Sequence, residues 1–99
     1  WPTLGPKLRG KIRVYIGDMD NGYLNNAVYR LDAFFRAARN PASDAVVEYG
    51  DRYEHCWSGD HTQQIQVQRL TIMQRFFPAM VQHMIRTAPP GADTLSWRY

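Results

Sequence analysis

Between Lys11 and Gly50 the hydrophobic period of this chain changes twice. Residues 11–17, "KIRVYIG", set Ile12, Val14 and Ile16 in alternation with Lys11, Arg13 and Tyr15, the pattern of a β-strand rich in β-branched residues. Over residues 23–38 the period becomes helical. Leu24, Ala27, Val28, Leu31, Phe34, Phe35 and Ala38 recur at the three- and four-residue steps of one helix face, with Arg30, Asp32 and Arg36 between them. Pro41 disfavours a helical Asn40 and ends that segment. Residues 45–50, "AVVEYG", then read as a second short strand. Two strands joined by a helix are parallel, with a right-handed crossover, so few arrangements are left open.

The flanks are simpler. Residues 1–10 carry two prolines and two glycines and read as a lead-in loop. Residues 62–87 return to a helical period, with Ile65, Leu70, Met73, Phe76, Phe77, Met80, Val81, Met84 and Ile85 as the apolar face. Pro78 is expected to kink or split this helix. Its methionine-bearing face is expected to be core. Residues 88–99 form a Pro-Gly tail that ends in aromatics. The expected class is therefore α/β, a βαβα unit with two parallel strands.

A parallel pair with no neighbours is an unusual end state, because parallel sheets are covered on both faces and seldom stop at two strands. Together with a first residue that is Trp1 rather than Met, this predicts that residues 1–99 are a single partial domain, the terminal piece of a larger α/β sheet. Bare sheet edges are expected to favour self-association. Hydrophobic content of 44% against 21% charged residues is that of a globular chain, not a disordered one. The twelve basic residues, which leave a net charge of +3, are dispersed from Lys7 to Arg98, an arrangement that argues against nucleic acid as a partner. No apolar run reaches the roughly 18 residues of a membrane span. Cys56 is the lone cysteine, which excludes an internal disulfide and a cysteine-rich zinc module while leaving the compartment undetermined.

The chemistry is concentrated in two loops. "GDMDNG" comes after the first strand, and "DRYEHCWSGDH", residues 51–61, after the second. In open α/β sheets, sites form beyond the carboxyl ends of the strands. Parallel order would set Asp18 and Asp20 beside His55. A carboxylate next to a histidine orients the imidazole and stabilises its charged form, so that the ring can activate a hydroxyl nucleophile. Other readings of the same residues stand beside this one. Asp20 could simply cap the following helix, and His55 could be an ordinary loop residue. His55, Asp60, His61 and Cys56 could ligate zinc, but their spacing matches no recognised pattern. A calcium loop counted from Asp18 would need Gly where Tyr23 stands and Glu where Tyr29 stands. Cys56 as a nucleophile is the least favoured of these. No metal and no cofactor are expected.

"IRVYIGDMDNGYLNNAV" followed by "VEYGDRYEHCWSGDH" resembles the C-terminal part of esterases of the α/β-hydrolase fold. In that family the last two strands carry the acid and the histidine of a Ser-His-Asp/Glu triad. The resemblance assigns the acid to Asp20, in Gly17-Asp18-Met19-Asp20, with Asp18 as the fallback, and the histidine to His55. It implies a small ester as substrate of the parent protein; that no membrane partner is expected follows instead from the lack of a spanning apolar run. The family's nucleophile stands in Gly-x-Ser-x-Gly. Ser43, Ser58 and Ser96 have no such setting, so the resemblance implies a serine upstream of Trp1. The contrasting expectation is a small α/β interaction module without catalysis, whose aromatic tail and methionine-bearing helix bind a protein partner.

Overall fold

The computed structural model describes residues 1–62 and 72–94. Its contacts fall into two compact units, Trp1–Gln68 and Arg69–Tyr99.

The first unit is mixed α/β. A one-turn helix α1, Gly5–Leu8, stands inside the segment expected to be a loop, with Pro6 in its first turn. Proline suits that position, since its fixed φ is helical and its missing N–H would have had no partner there. Strand β1 (Arg13–Gly17), helix α2 (Leu24–Ala37) and strand β2 (Val46–Gly50) come next. β1 and β2 pair in parallel and in step, from Arg13 opposite Val46 to Gly17 opposite Gly50. Beyond α2 the chain turns through a cis Asn40–Pro41 peptide. The Trp1 indole N–H reaches back to the Pro41 carbonyl at 2.7 Å, and the Trp1 ring meets Phe34 edge-on at 5.4 Å.

Two strands cannot bury a parallel sheet by themselves, and this one is covered by a different element on each face. Side chains alternate between faces along each strand. Ile16 and its neighbour Tyr49 face α2. Phe35 of α2 is buried there with Ile16, and the Tyr49 hydroxyl donates to Asp32 of α2 at 3.2 Å. Tyr15, Gly17, Glu48 and Gly50 face the other way. Over them folds the loop after β2, with the Trp57 ring 6.4 Å from the Tyr15 ring. Trp57 is the most buried apolar residue described, 4% exposed. Burial rises along both strands toward their carboxyl ends, so the core lies under the loops rather than at mid-sheet.

This covering loop explains why each strand ends in glycine. A Cβ on Gly50 would come 2.6 Å from the Trp57 indole, and one on Gly17 would run into the carbonyl oxygens of Tyr53 and Glu54. Each clash is far inside the contact distance of two heavy atoms, about 3.5–4.0 Å.

Half of the apolar face of α2 stays outside this core. Val28 and Phe35 turn toward the sheet. Leu24, Leu31 and Phe34, a stripe rotated to one side, remain between 38% and 50% exposed.

In the second unit a π-helical turn, Ile72–Phe76, runs into helix α3, Phe77–Thr87. Pro78 stands in the first turn of α3. Lacking an N–H, it cannot donate to the carbonyl four residues back, and the register changes there as the sequence leads one to expect. The expected core face differs. Met73, Phe77, Met80, Met84 and Ile85 are all about half exposed, because residues 72–94 contain no second layer for them to pack against. Ile65 and Leu70 of that expected face lie outside the described residues, as does the end of the tail from residue 95. Among the described residues no helix is long and apolar enough to cross a membrane.

Candidate functional site

The parallel ladder continues past the strands as a lacing between the two loops. The Asp18 N–H donates to the Gly50 carbonyl at 3.0 Å, and the Met19 N–H to the Tyr53 carbonyl at 3.0 Å. The Arg52 N–H returns the connection, donating to Asp18 Oδ1 at 2.7 Å. Arg52 sits at φ 60°, a left-handed conformation that presents this N–H to the neighbouring loop. Asp18 is thus a fastener between loops. Its own carbonyl accepts from the Asn25 side chain at 2.8 Å, which ties the first turn of α2 into the same knot.

Two residues further on stands Asp20, with its side chain fully buried. Both of its carboxylate oxygens lie 3.1 Å from His55 Nδ1. Oδ1 also accepts the Gly22 N–H at 2.6 Å, a short bond of the kind a charged acceptor makes. Asp20 caps no helix. The residue before α2 is Tyr23, and no side chain caps that terminus. The structure therefore brings Asp20 and His55 together and leaves Asp18 facing the loop backbone.

The chemistry of this pair is set by its atoms. An ionised carboxylate only accepts, so Nδ1 carries the proton between them. Nε2 is then the ring's acceptor, and the geometry of imidazole directs it away from Asp20. The His55 side chain is 46% exposed, while its partner carboxylate has no contact with solvent. A proton taken up at Nε2 would leave an imidazolium held against a buried negative charge. That is the arrangement of a general base with its orienting acid.

The next two residues place His55. Cys56 adopts φ 66°, which turns the chain and sends Trp57 into the core. The Trp57 indole N–H donates to the Asp60 carbonyl at 3.3 Å, closing the loop on itself. The imidazole is thus two residues from the best-anchored side chain of the unit. Cys56 is exposed. His61 is not part of the pair. Its Nε2 lies 3.3 Å from Glu48 Oε2 and its ring packs edge-on against Trp57 at 4.8 Å. This second contact was not evident in the sequence, where Glu48 and His61 are thirteen positions apart. Their only prior signal was that residue 48 shares a face with Gly50, the strand end from which the loop departs.

Among the described residues, no group of three or more His, Cys, Asp or Glu side chains converges on a point that could hold a metal ion. A hollow between α2 and the start of β2, lined by residues that include Asp32, Phe35, Arg36 and Val46, shares no residue with the pair. Comparison with family models, with curated proteins and with solved structures finds no match for this chain.

Proposed function

We propose that this chain supplies the acid and the histidine of a Ser-His-Asp hydrolase, with Asp20 orienting His55 and the serine provided by a segment outside this sequence. The observation that carries the reading is the buried Asp20 carboxylate, both oxygens 3.1 Å from Nδ1 of a half-exposed His55. Nε2 is the base that takes the proton from the serine hydroxyl as it attacks an ester carbonyl, and it later returns that proton to the leaving alcohol. Asp20 stays ionised throughout and stabilises the imidazolium. The resemblance to α/β-hydrolase esterases supports the same assignment. So does a parallel sheet that, among the described residues, has only two strands. No cofactor enters this chemistry.

The test uses the protein that contains this chain together with its upstream region, assayed for hydrolysis of p-nitrophenyl acetate. Asp20→Asn and His55→Ala are each expected to lower kcat by about 10³–10⁴-fold, and the double variant by little more than either, because the pair works as a unit. Independent, multiplying losses, or a rate untouched by His55→Ala, would remove the proposal. A second reading, a non-catalytic interaction module, is favoured by the exposed stripe of Leu24, Leu31 and Phe34. Full activity of a variant with all three replaced by polar residues would leave that stripe no part in the chemistry.

A further inference from the structure

Along a strand, the backbone N–H and C=O of successive residues point alternately to one neighbour and to the other. The Val46 N–H donates to the Ile12 carbonyl at 3.1 Å, and at the far end the Gly50 carbonyl accepts the Asp18 N–H at 3.0 Å. Val46, Glu48 and Gly50 therefore turn their backbone groups toward β1, and Val47 and Tyr49 turn theirs to the other edge of β2. Among the described residues the sheet ends there, and no N–H or C=O of Val47 or Tyr49 has a partner on that edge. No proline or bulge blunts it, since β2 keeps step with β1 from Val46 to Gly50. Such a row of unpaired groups is a template for another strand.

The side chains along this edge decide what strand fits. Glu48 stands on the loop face with its side chain 38% exposed. Its Oε2 meets His61 at 3.3 Å, and its Oε1 has no partner among the described residues. On the opposite face, beside Val47, opens the hollow between α2 and the start of β2, about 380 Å³, with Phe35 and Val47 in its lining. Next along that face is Tyr49, its ring 5.3 Å from the ring of Tyr29. A second copy of β2 does not suit this edge. Antiparallel pairing that used all four backbone groups would set the Glu48 side chains of the two copies directly opposite each other, in the pair whose Cα atoms are only about 4.5 Å apart. Like charges so placed are destabilising. The charge that opposes self-pairing favours a strand of the opposite charge.

We infer that the outer edge of β2 is a docking site for an extended segment of a partner protein, added antiparallel, with a lysine or arginine opposite Glu48 and an apolar residue on each side of it. Four main-chain hydrogen bonds to Val47 and Tyr49 hold the segment, and its alternate side chains give the choice of partner. The basic residue reaches Glu48 Oε1 on the loop face. The residue after it faces the hollow beside Val47, and the residue before it lies against Tyr49. This edge shares no residue with the Asp20–His55 pair, so either proposal can fail without the other.

The test is an NMR titration of the intact protein that carries this chain, with acetyl-Ser-Val-Lys-Val-Ser-amide and its glutamate-for-lysine counterpart as the two probes. The lysine peptide is expected to shift the Val47 and Tyr49 amide signals saturably, with Kd on the order of millimolar. The glutamate peptide is expected to bind at least about fivefold more weakly. Glu48→Lys is expected to reverse that preference, which a merely damaged fold would not do, and Glu48→Gln to abolish it. No saturable shift at Val47 and Tyr49, equal binding of the two peptides by the native chain, or a preference for lysine that survives in both variants would each overturn the inference. So would shifts of the same two amides with protein concentration alone, accompanied by a dimer in light scattering, which would give the edge to a second copy.

Discussion

Replacing Gly17 with alanine adds one methyl group at the point where the loop after β2 crosses the end of β1. The backbone of Gly17 is not left-handed, so alanine could adopt it without strain and the whole effect comes from space. The new Cβ would run into the carbonyl oxygens of Tyr53 and Glu54. Both obstacles are backbone, so no side-chain rotation relieves the clash, and the covering loop must lift. Overpacking of this kind costs about 1–3 kcal/mol. Lifting the loop also stretches the bond from the Met19 N–H to the Tyr53 carbonyl, 3.0 Å in the native chain. Met19 is exposed, so its freed N–H can turn to water and adds little to the cost. The expected loss is therefore about 1–3 kcal/mol, against a total of about 5–15 kcal/mol for an ordinary domain. Urea unfolding followed by Trp fluorescence measures the loss. The ¹⁵N spectrum of His55 measures whether the imidazole has left Asp20, as it must if residues 53–54 move. A variant destabilised by less than about 1 kcal/mol with an unchanged His55 spectrum would refute the argument that the loop is seated on Gly17.

Two further outcomes are expected. Burial first, then the negative charge of Asp32 and its acceptance of the phenol's hydrogen bond, raise the pKa of Tyr49 above its ordinary value of 10.0. The neutral phenol is therefore favoured by folding. Its contribution is fully present below pH 10.0 and is lost as pH rises from there through the folded-state value, so the melting-temperature gap between the native chain and Tyr49→Phe should narrow over that range; parallel curves from about pH 9 to 11 would contradict it. Trp57→Ala removes a ring that is 4% exposed and contacts Tyr15, Tyr53 and His61; a loss of about 3–5 kcal/mol in urea unfolding is expected, and one below about 1 kcal/mol would deny that the loop is a packed layer.

The βαβ core was legible because its signals are local. Alternation around Val14, the helical period from Leu24 and the β-branched pair Val46-Val47 each fix an element within a residue or two. Parallel order is then dictated by connection alone, and it is enough to bring residues 20 and 55 to the same end of the sheet. The layer formed by residues 51–61 was not legible. A polar, glycine-bearing string carries no period, and Trp57 gives no sign of which surface it will cover. The two terminal glycines were the available clue, since a glycine at the end of a strand can mark close approach of another backbone. The left-handed backbone of Tyr23, at φ 59°, was hidden for the opposite reason: residue preference argues against it, and tertiary placement of the turn overrides preference. The apolar face of α2 is plain as a pattern, yet only half of it is buried, because a two-stranded sheet is narrower than the stripe.

The loop that carries His55 is also the second cover of the sheet, and this divides the chain into regions that can and cannot drift. Between Gly50 and His61 a substitution at an inward position, Tyr53, Trp57, Ser58 or Gly59, is judged twice, once for packing on the strands and once for the aim of the imidazole. A change there that improves one will tend to spoil the other. The connection from α2 to β2, residues 38–45, emerges at the opposite end of the parallel strands; Pro41 and Asp44 hold the N-terminal segment there, but none of it aims the imidazole. Lengthening a loop is thermodynamically mild, about 0.6 kcal/mol for each doubling. Insertions, tags or an additional module would be absorbed at that far end, where variation leaves the distance between Asp20 and His55 untouched.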